Sequence, residues 1–485
     1  MAQTRKTVTD FDPSATCGTY DELCESWRLN RDFAEMHLST LADGAYLDEF
    51  GGTASEPATQ YAKRKTWSLA LDHCQDMIAL RVDNIFRTPP KRIYDRSPHR
   101  DLIRSLLADV DGGGTRMDAF MRRALVQYYI NGVDIVVDKA QAPAEPANQA
   151  QEARLGLRPY LHAFGPLERV DWAVDHAGKY LWARYCLGEA PANDEWSGAT
   201  GLTQYLTITP DEWRLYEVPG QSEQPTTVAT GSHSLGICPV VPFYFKESAK
   251  SDYPKVPLSL LTRIAPIARY LLNLISQIQL DIYRNIGFLV ATGVEPDRVP
   301  TEITPMGCWA LPDGATLSDV AGSVDHIREK REFANMLIEA ILRIGKLAGH
   351  SGQLKARATS GVQVAVERTD LDNEMQMTAA QAEAVEGEVV RIAVSRALGR
   401  PVTRDELAYT VEYNRKYVLA GTAEIIANIG ALVKTDTHRQ VPEPLRILLR
   451  QLIKALAGED DEAYAAAMQQ VAEMTVGPPR ETDHD

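Results

Sequence analysis

Apolar residues return at helical spacing most clearly between Val256 and Gly399. Across PIARYLLNLISQIQLDIYRNIG, the residues Ile264, Leu271, Ile275, Ile278 and Ile282 fall on one stripe, which predicts an amphipathic helix. Pro266 suits its first turn and Gly287 its stop. A second helix is predicted from Asp325 to Leu347, with Ile327, Ala334, Leu337, Ile338, Ile341 and Ile344 inward. Between the two, FLVATGV, MGCWALP and GATLSDV read as a small β module. The basic segment AGHSGQLKARATSG follows, where Gly349 and Gly352 predict a mobile backbone. A third helix is predicted from Val362 to Leu398, ended by Gly399 and Pro401. At ~1.5 Å per residue it exceeds roughly 50 Å unless kinked. The pattern describes two rods with a β knob at one end and a basic loop at the other.

Upstream, residues 1–60 are polar, with one helix expected from Tyr20 to Leu41. Trp67, Leu71, Cys74, Ile78, Val82 and Ile85 predict one amphipathic helix over Tyr61–Phe86, ended by Pro89 and Pro90. DLIRSLLADVDGGG reads as a short helix and a glycine break. Thr115 and Asp118 resemble a capping box opening a helix to Ile130. Asn131-Gly132 predicts a turn into the strand VDIVVD. The Ala-, Pro- and Gln-rich stretch Lys139–Leu157 reads as a surface excursion. RPYLHAF, KYLWARYCL, QYLTIT, EWRLYEV and ICPVVPFYF then predict a mostly antiparallel β region. After Pro401, VEYNRKYVL is strand-like, and helices are expected over Thr422–Leu432, Pro444–Leu456 and GEDDEAYAAAMQQVAEM.

Composition narrows the functional classes. With 485 residues and 44% hydrophobic content the chain has material for about three domains with sizeable cores. A net charge of −15 argues against a tight nucleic-acid binder, because phosphate neutralisation needs clustered bases. It is compatible with DNA sliding past. The six cysteines, Cys17, Cys24, Cys74, Cys186, Cys238 and Cys308, form no C-x-x-C and read as buried free thiols of a reducing compartment. The N-terminus has no apolar leader and no run of ~18 apolar residues occurs, so a soluble, membrane-free protein made in the cytoplasm is expected.

Catalytic and cofactor signals are absent from the motifs sought. There is no G-x-x-x-x-G-K-[ST] and no H-E-x-x-H. Gly349-His350-Ser351-Gly352 lacks the spacing of a nucleophile elbow. Asp370, Asp372 and Glu374 alternate as in Ca²⁺ loops but lack the glycine turn, and read as a solvated helix face. No metal site, cofactor or catalytic residue is assigned, and the expectation is a non-enzyme.

Three stretches carry a resemblance. PLSLLTRIAPIARYLLNLISQIQLDIYRNIGFLVATGV resembles the first stem helix and clip of tailed-bacteriophage portal proteins. RATSGVQVAVERTDLDNEMQMTAAQAEAV resembles their tunnel-loop region, and LDHCQDMIALRVDNIFRTPPKRIY their N-terminal wing helix and following strand. The resemblance spans about Tyr61 to Leu456 and rests on the order of parts. It implies a portal-like α+β fold with a mixed α/β wing, long stem helices, a small β-rich clip and a helical C-terminal crown. The implied boundaries are an N-terminal arm 1–60, wing 61–255, first stem helix 256–287, clip 288–322, second stem helix 323–347, tunnel loop 348–360, long kinked helix 361–400 and crown with tail 401–485.

By the same resemblance the chain forms a ring of about twelve copies at one capsid vertex, assembled in the host cytoplasm and carried in the virion. Double-stranded DNA passes through without sequence preference. Terminase large subunit and then a head–tail adaptor dock on it, and major capsid and scaffolding proteins surround it. Lys346, His350, Lys355 and Arg357 are the expected channel residues. Leu271, Ile275, Ile278, Ile282, Leu337 and Ile341 are the expected subunit-packing positions of the stem. Another head–tail connector component, or a helical enzyme with an unrecognised site, are the competing readings.

Overall fold

A computed structural model describes residues 12–36, 45–49, 56–139, 157–189, 201–219, 225–233, 235–250, 252–284, 288–292, 314, 316–320, 325–347 and 361–415, with 429, 445–446, 449–450, 453 and 469–473 beyond them. The fold is mixed α+β, in two compact units, Met1–Asn414 and Arg415–Asp485.

The first unit begins with α1, Gly18–Ala34, whose Trp27, Asn30, Asp32 and Phe33 are buried, so this polar segment is built into the core. The single helix expected over Tyr61–Phe86 is two: α2, Ala58–Trp67, and α3, His73–Ile85. Asp72 causes the break. Its carboxylate accepts from the Gln75 N–H at 3.3 Å and starts α3, while Ser68 leaves α2 in extended backbone. Cys74, Met77, Ile78, Arg81, Val82 and Ile85 form the buried face of α3.

Next come β1, Lys91–Ile93, α4, Arg100–Ala108, and α5, Met117–Ile130. The expected Thr115–Asp118 capping box does not form. Arg116 is the N-cap residue of α5, and Asp118 pairs with Arg92 at 2.5 Å. The Thr115 N–H goes to the Asp111 carboxylate, which also takes the Gly113 N–H. Asp109 takes those of Gly112 and Gly114. The glycine break is therefore a loop organised by two aspartates.

Gly132, at φ 80°, turns the chain into β2, Val133–Lys139. Its Val133, Ile135, Val136 and Val137 are all buried, as befits the middle strand of the antiparallel sheet β3–β2–β9 (β3 Pro159–Phe164, β9 Val240–Phe243). A five-stranded antiparallel meander runs β4, Arg169–Val174, β5, Tyr180–Glu189, β6, Leu202–Ile208, β7, Glu212–Pro219, and β8, Thr226–Ser232. β4 and β8 are strands that periodicity did not predict. Trp27, Val136, Trp172, Ala183, Tyr185, Leu206 and Ile208 share one core, so α1 and both sheets meet there.

A charge lies inside that core. Asp134, on β2, receives Arg169 Nη1 at 3.0 Å, the Tyr185 hydroxyl at 3.0 Å and the Tyr244 hydroxyl at 2.5 Å. Arg169 also donates to Lys255 O and lies 4.2 Å from the Trp172 ring centroid. Burying an ion is tolerable only with such partners.

Two-stranded pairs complete the unit: β10, Lys246–Glu247, with β11, Pro257–Leu258, then β12, Phe288–Thr292, with β13, Thr316–Val320, and β1 with β14, Thr410–Glu412. The helices α6, Ala265–Arg284, α7, Asp325–Ile344, and α8, Gly361–Leu398, match the three predicted rods. Gly399, at φ 67°, stops α8, and the single turn α9, Arg404–Leu407, follows with Thr403 as its cap. Glu386 of α8 is fully buried. It holds Arg92 at 2.7 and 3.1 Å and accepts from the Tyr413 hydroxyl at 2.6 Å, fixing α8 to the β1–β14 pair.

Of the cysteines, Cys74 and Cys238 are buried, whereas Cys17, Cys24 and Cys186 are half-buried. Cys186 on the inner strand β5, and Cys17 and Cys24 at the start of α1, are only partly covered, which corrects the uniform burial expected. Burial pushes the Cys74 thiol up to about 12. Cys308 and the excursion Lys139–Leu157, apart from Lys139 and Leu157 themselves, lie outside the described residues. Among the described residues no group of three or more His, Cys, Asp or Glu could hold a metal, and no helix is long and apolar enough to cross a membrane.

In the second unit the described residues beyond Arg415 are helical, and Leu445 and Val471 are buried. Most of the helices expected over Thr422–Leu432, Pro444–Leu456 and the acidic C-terminal segment falls outside the described residues.

Candidate functional site: a helical hairpin and its corner

A 3₁₀ turn, Leu260–Arg263, capped by the Ser259 hydroxyl, leads into α6. One flank of α6 is covered by the chain's own N-terminal part. Asn273 donates to Tyr46 O and accepts from the Asp48 N–H, Arg64 Nε donates to Ser276 Oγ at 3.0 Å, and Trp67 packs on Tyr283 with ring centroids 4.9 Å apart. By helical spacing Asn273, Ser276 and Tyr283 lie on the face of α6 turned away from the Ile264–Leu271–Ile275–Ile278–Ile282 stripe, so these contacts anchor a second, polar-edged face of the helix.

The other flank of α6 meets α7. Lys330 Nζ lies 2.7 Å from Asp281 Oδ2, and Tyr270 stands edge-on to Phe333 at 6.0 Å. The arms are joined by the β12–β13 ribbon, paired from Phe288↔Val320 to Thr292↔Thr316, with the two threonine hydroxyls 2.6 Å apart.

α7 carries two apolar stripes. Ala334 and Ile341 are buried, with Ile338 half-buried beside them. On another face, Phe333, Met336, Ala340 and Ile344 recur at three- and four-residue intervals. Met336 is 52% exposed, Phe333 39% and Ile344 38%. Ile344 was expected inward; it belongs instead to this outer stripe. On α6, Tyr270 and Ile282 are both 55% exposed.

The expected packing residues therefore divide. Leu271 and Ile341 are buried by the chain itself, Ile275, Ile278 and Leu337 are half-buried, and Ile282 is exposed. Periodicity identified the stripe but not the second face of α6, which the N-terminal segment covers.

At its far end α7 turns a tight corner. The Leu347 N–H reaches Leu342 O and the Lys346 N–H reaches Arg343 O, the double bond pattern that closes a helix with a left-handed residue. That residue is Lys346, at φ 57°, where glycine is the usual choice. Glycine sits one place earlier, because a Cβ at Gly345 would meet Met77 Sδ at 2.0 Å. Arg81, fully buried on α3, donates to Gly345 O at 2.8 Å and to Glu374 Oε1 at 2.9 Å. Lys346 Nζ lies 2.8 Å from Glu374 Oε2.

Glu374 is thus no part of a solvated face: its side chain is only 12% exposed, because α3 and the α7 corner pack over it. Burial pushes its carboxyl up, and the charges and hydrogen bonds of Arg81 and Lys346 outweigh this and hold it below the usual carboxylate range. Lys346 is correspondingly committed to a carboxylate. His350, Lys355 and Arg357 lie outside the described residues. Arg81, Gly345, Glu374, Phe333 and Met336 are the participants that motif reading missed. A lysine after a glycine at a helix end was the available signal for the corner.

No family model matches the chain, and no curated protein matches it. Similar solved structures include a chain in the neck of an empty GTA particle computed with C6 symmetry, with 11% identity, a TM-score of 0.38 and coverage of 85% of this chain and 94% of that one. Another is a chain in the virion of a native gene transfer agent (GTA) particle, with 14% identity, a TM-score of 0.35 and coverage of 77% and 90%.

Proposed function

We propose that the chain is a structural, ring-forming subunit of a phage head–tail assembly, of the portal type. The observation that carries this reading is the outer stripe Phe333–Met336–Ala340–Ile344 on a hairpin whose arms are joined by a β ribbon. An apolar row along an exposed helix calls for a covering surface. In a closed ring the covering surface is the next copy, related head to tail. Each copy then contributes one hairpin to the wall of an axial channel.

In this reading the ribbon end of the hairpin is the docking point for a packaging ATPase and then an adaptor. The segment 348–360, with His350, Lys355 and Arg357, borders the channel. The excess of acids, giving a net charge of −15, keeps a sliding duplex from making many firm phosphate contacts. The test is the mass and shape of the purified full-length chain. A ring of about twelve 53.7 kDa copies weighs roughly 640 kDa and shows an axial hole in negative stain. A monodisperse monomer or dimer at micromolar concentration would refute the reading.

A further inference from the structure

Glu374 is held by two cations that differ in access. Arg81 is fully buried and also grips the α7 terminus through Gly345 O, so it is a fixed arm. The Lys346 side chain is 37% exposed and reaches Glu374 from a left-handed backbone position that a lysine occupies at a cost. Its strain is offset while the ion pair stands. The two arms join three elements, α3, the end of α7 and α8, through one carboxylate. Asp370 adds a backbone carbonyl 3.4 Å from Lys346 Nζ.

We propose that Glu374 and Lys346 form a releasable latch on the α7–α8 corner, opened when a phosphate chain draws Lys346 away. A polyanion competes for an exposed ammonium but not for a buried guanidinium, so opening frees Lys346 while Arg81 keeps the corner attached. Once unpaired, Lys346 is kept left-handed only by the two N–H bonds that close α7, and that last turn loosens. The trigger rests on the DNA-channel reading; the latch itself does not.

The experiment is hydrogen–deuterium exchange on the full-length protein, read over residues 340–346 and 370–378. Lys346→Gln removes the arm. Lys346→Gly removes it and also relieves the backbone. If Lys346 only terminated a helix, the glycine variant would slow exchange at 340–346. The latch requires both variants to speed exchange in both segments, by roughly tenfold for loss of a charge-assisted hydrogen bond. Glu374→Gln, of equal size, must do the same. A 20-base-pair duplex must speed exchange in the wild type beyond the effect of potassium chloride at matched ionic strength, and must add nothing to Lys346→Gln. Wild-type exchange in the lysine variants would overturn the latch. Unchanged exchange with DNA, in protein that still forms rings, would overturn the trigger and leave the ring reading standing.

Discussion

The two-sheet region and the helical hairpin solve opposite problems with similar materials. Both are rich in aromatic and branched residues. In the sheets these residues close over a buried ion, and the sheets are covered by each other, by α1 and by α8. On the hairpin only the α6 flank is covered, and the outer face of α7 stays open. The difference teaches where each region gets its stability. The sheets are complete within one chain, whereas the hairpin leaves an apolar row exposed, which the proposed ring gives to the next copy.

The largest expected effect lies in the sheets. Asp134→Ala leaves Arg169 buried without its counter-ion and should destabilise the protein by about 3–5 kcal/mol, read as a lower denaturant midpoint. A shift under 1 kcal/mol would mean that the Tyr180 and Tyr244 hydroxyls and Lys255 O carry the arginine unaided. The converse holds for the hairpin. Phe333→Asp with Met336→Asp should cost no more than about 1–2 kcal/mol of unfolding free energy, because Met336 is 52% exposed and Phe333 gives up mainly its edge-on contact with Tyr270. The same pair should abolish assembly in mass photometry. Intact rings in that variant would move the seam off α7.

The corner falls between these extremes. Gly345→Ala drives a methyl group into buried Met77 and should cost about 1–3 kcal/mol, and Met77→Ala in the same chain should return part of that in a double-mutant cycle.

The smallest effect concerns protons. His233, His73 and His162 are all pushed down by burial, with Arg396 adding to the effect at His233, which falls to about 4. The unfolded chain therefore takes up protons first as pH drops below about 6.5, and stability present at neutral pH is lost between there and pH 4. Thermal midpoints should fall over that window, and His233→Gln should flatten the slope. A flat profile in the wild type would show that the sheet region opens to water at His233.

Legibility in the sequence followed the same division. The three rods were readable because their apolar period persists along helices of twenty residues or more, as in Ala265–Arg284. The central strands were readable from dense runs such as VDIVVD. β8, with its small Thr226–Ser232 residues and exposed edge, gave no alternating signal. The break between α2 and α3 was hidden because Leu71 kept the helical spacing while Asp72 ended it through a local hydrogen bond. Glu374 resembled a surface acid because its partners, Arg81 and Lys346, lie 293 and 28 residues before it in the chain. Pairings across such distances leave no periodic trace.

The β1–β14 pair sets a timetable. Lys91–Ile93 meet Thr410–Glu412, and the Arg92–Glu386 contact bolts the junction. On a ribosome adding ~5–20 residues per second, roughly 300 residues separate the two strands by about 15–60 s. During that interval β1 has no partner strand and Arg92 has no Glu386. The first unit is thus sealed by nearly its last residues, and a nascent chain released before Glu412 cannot close it.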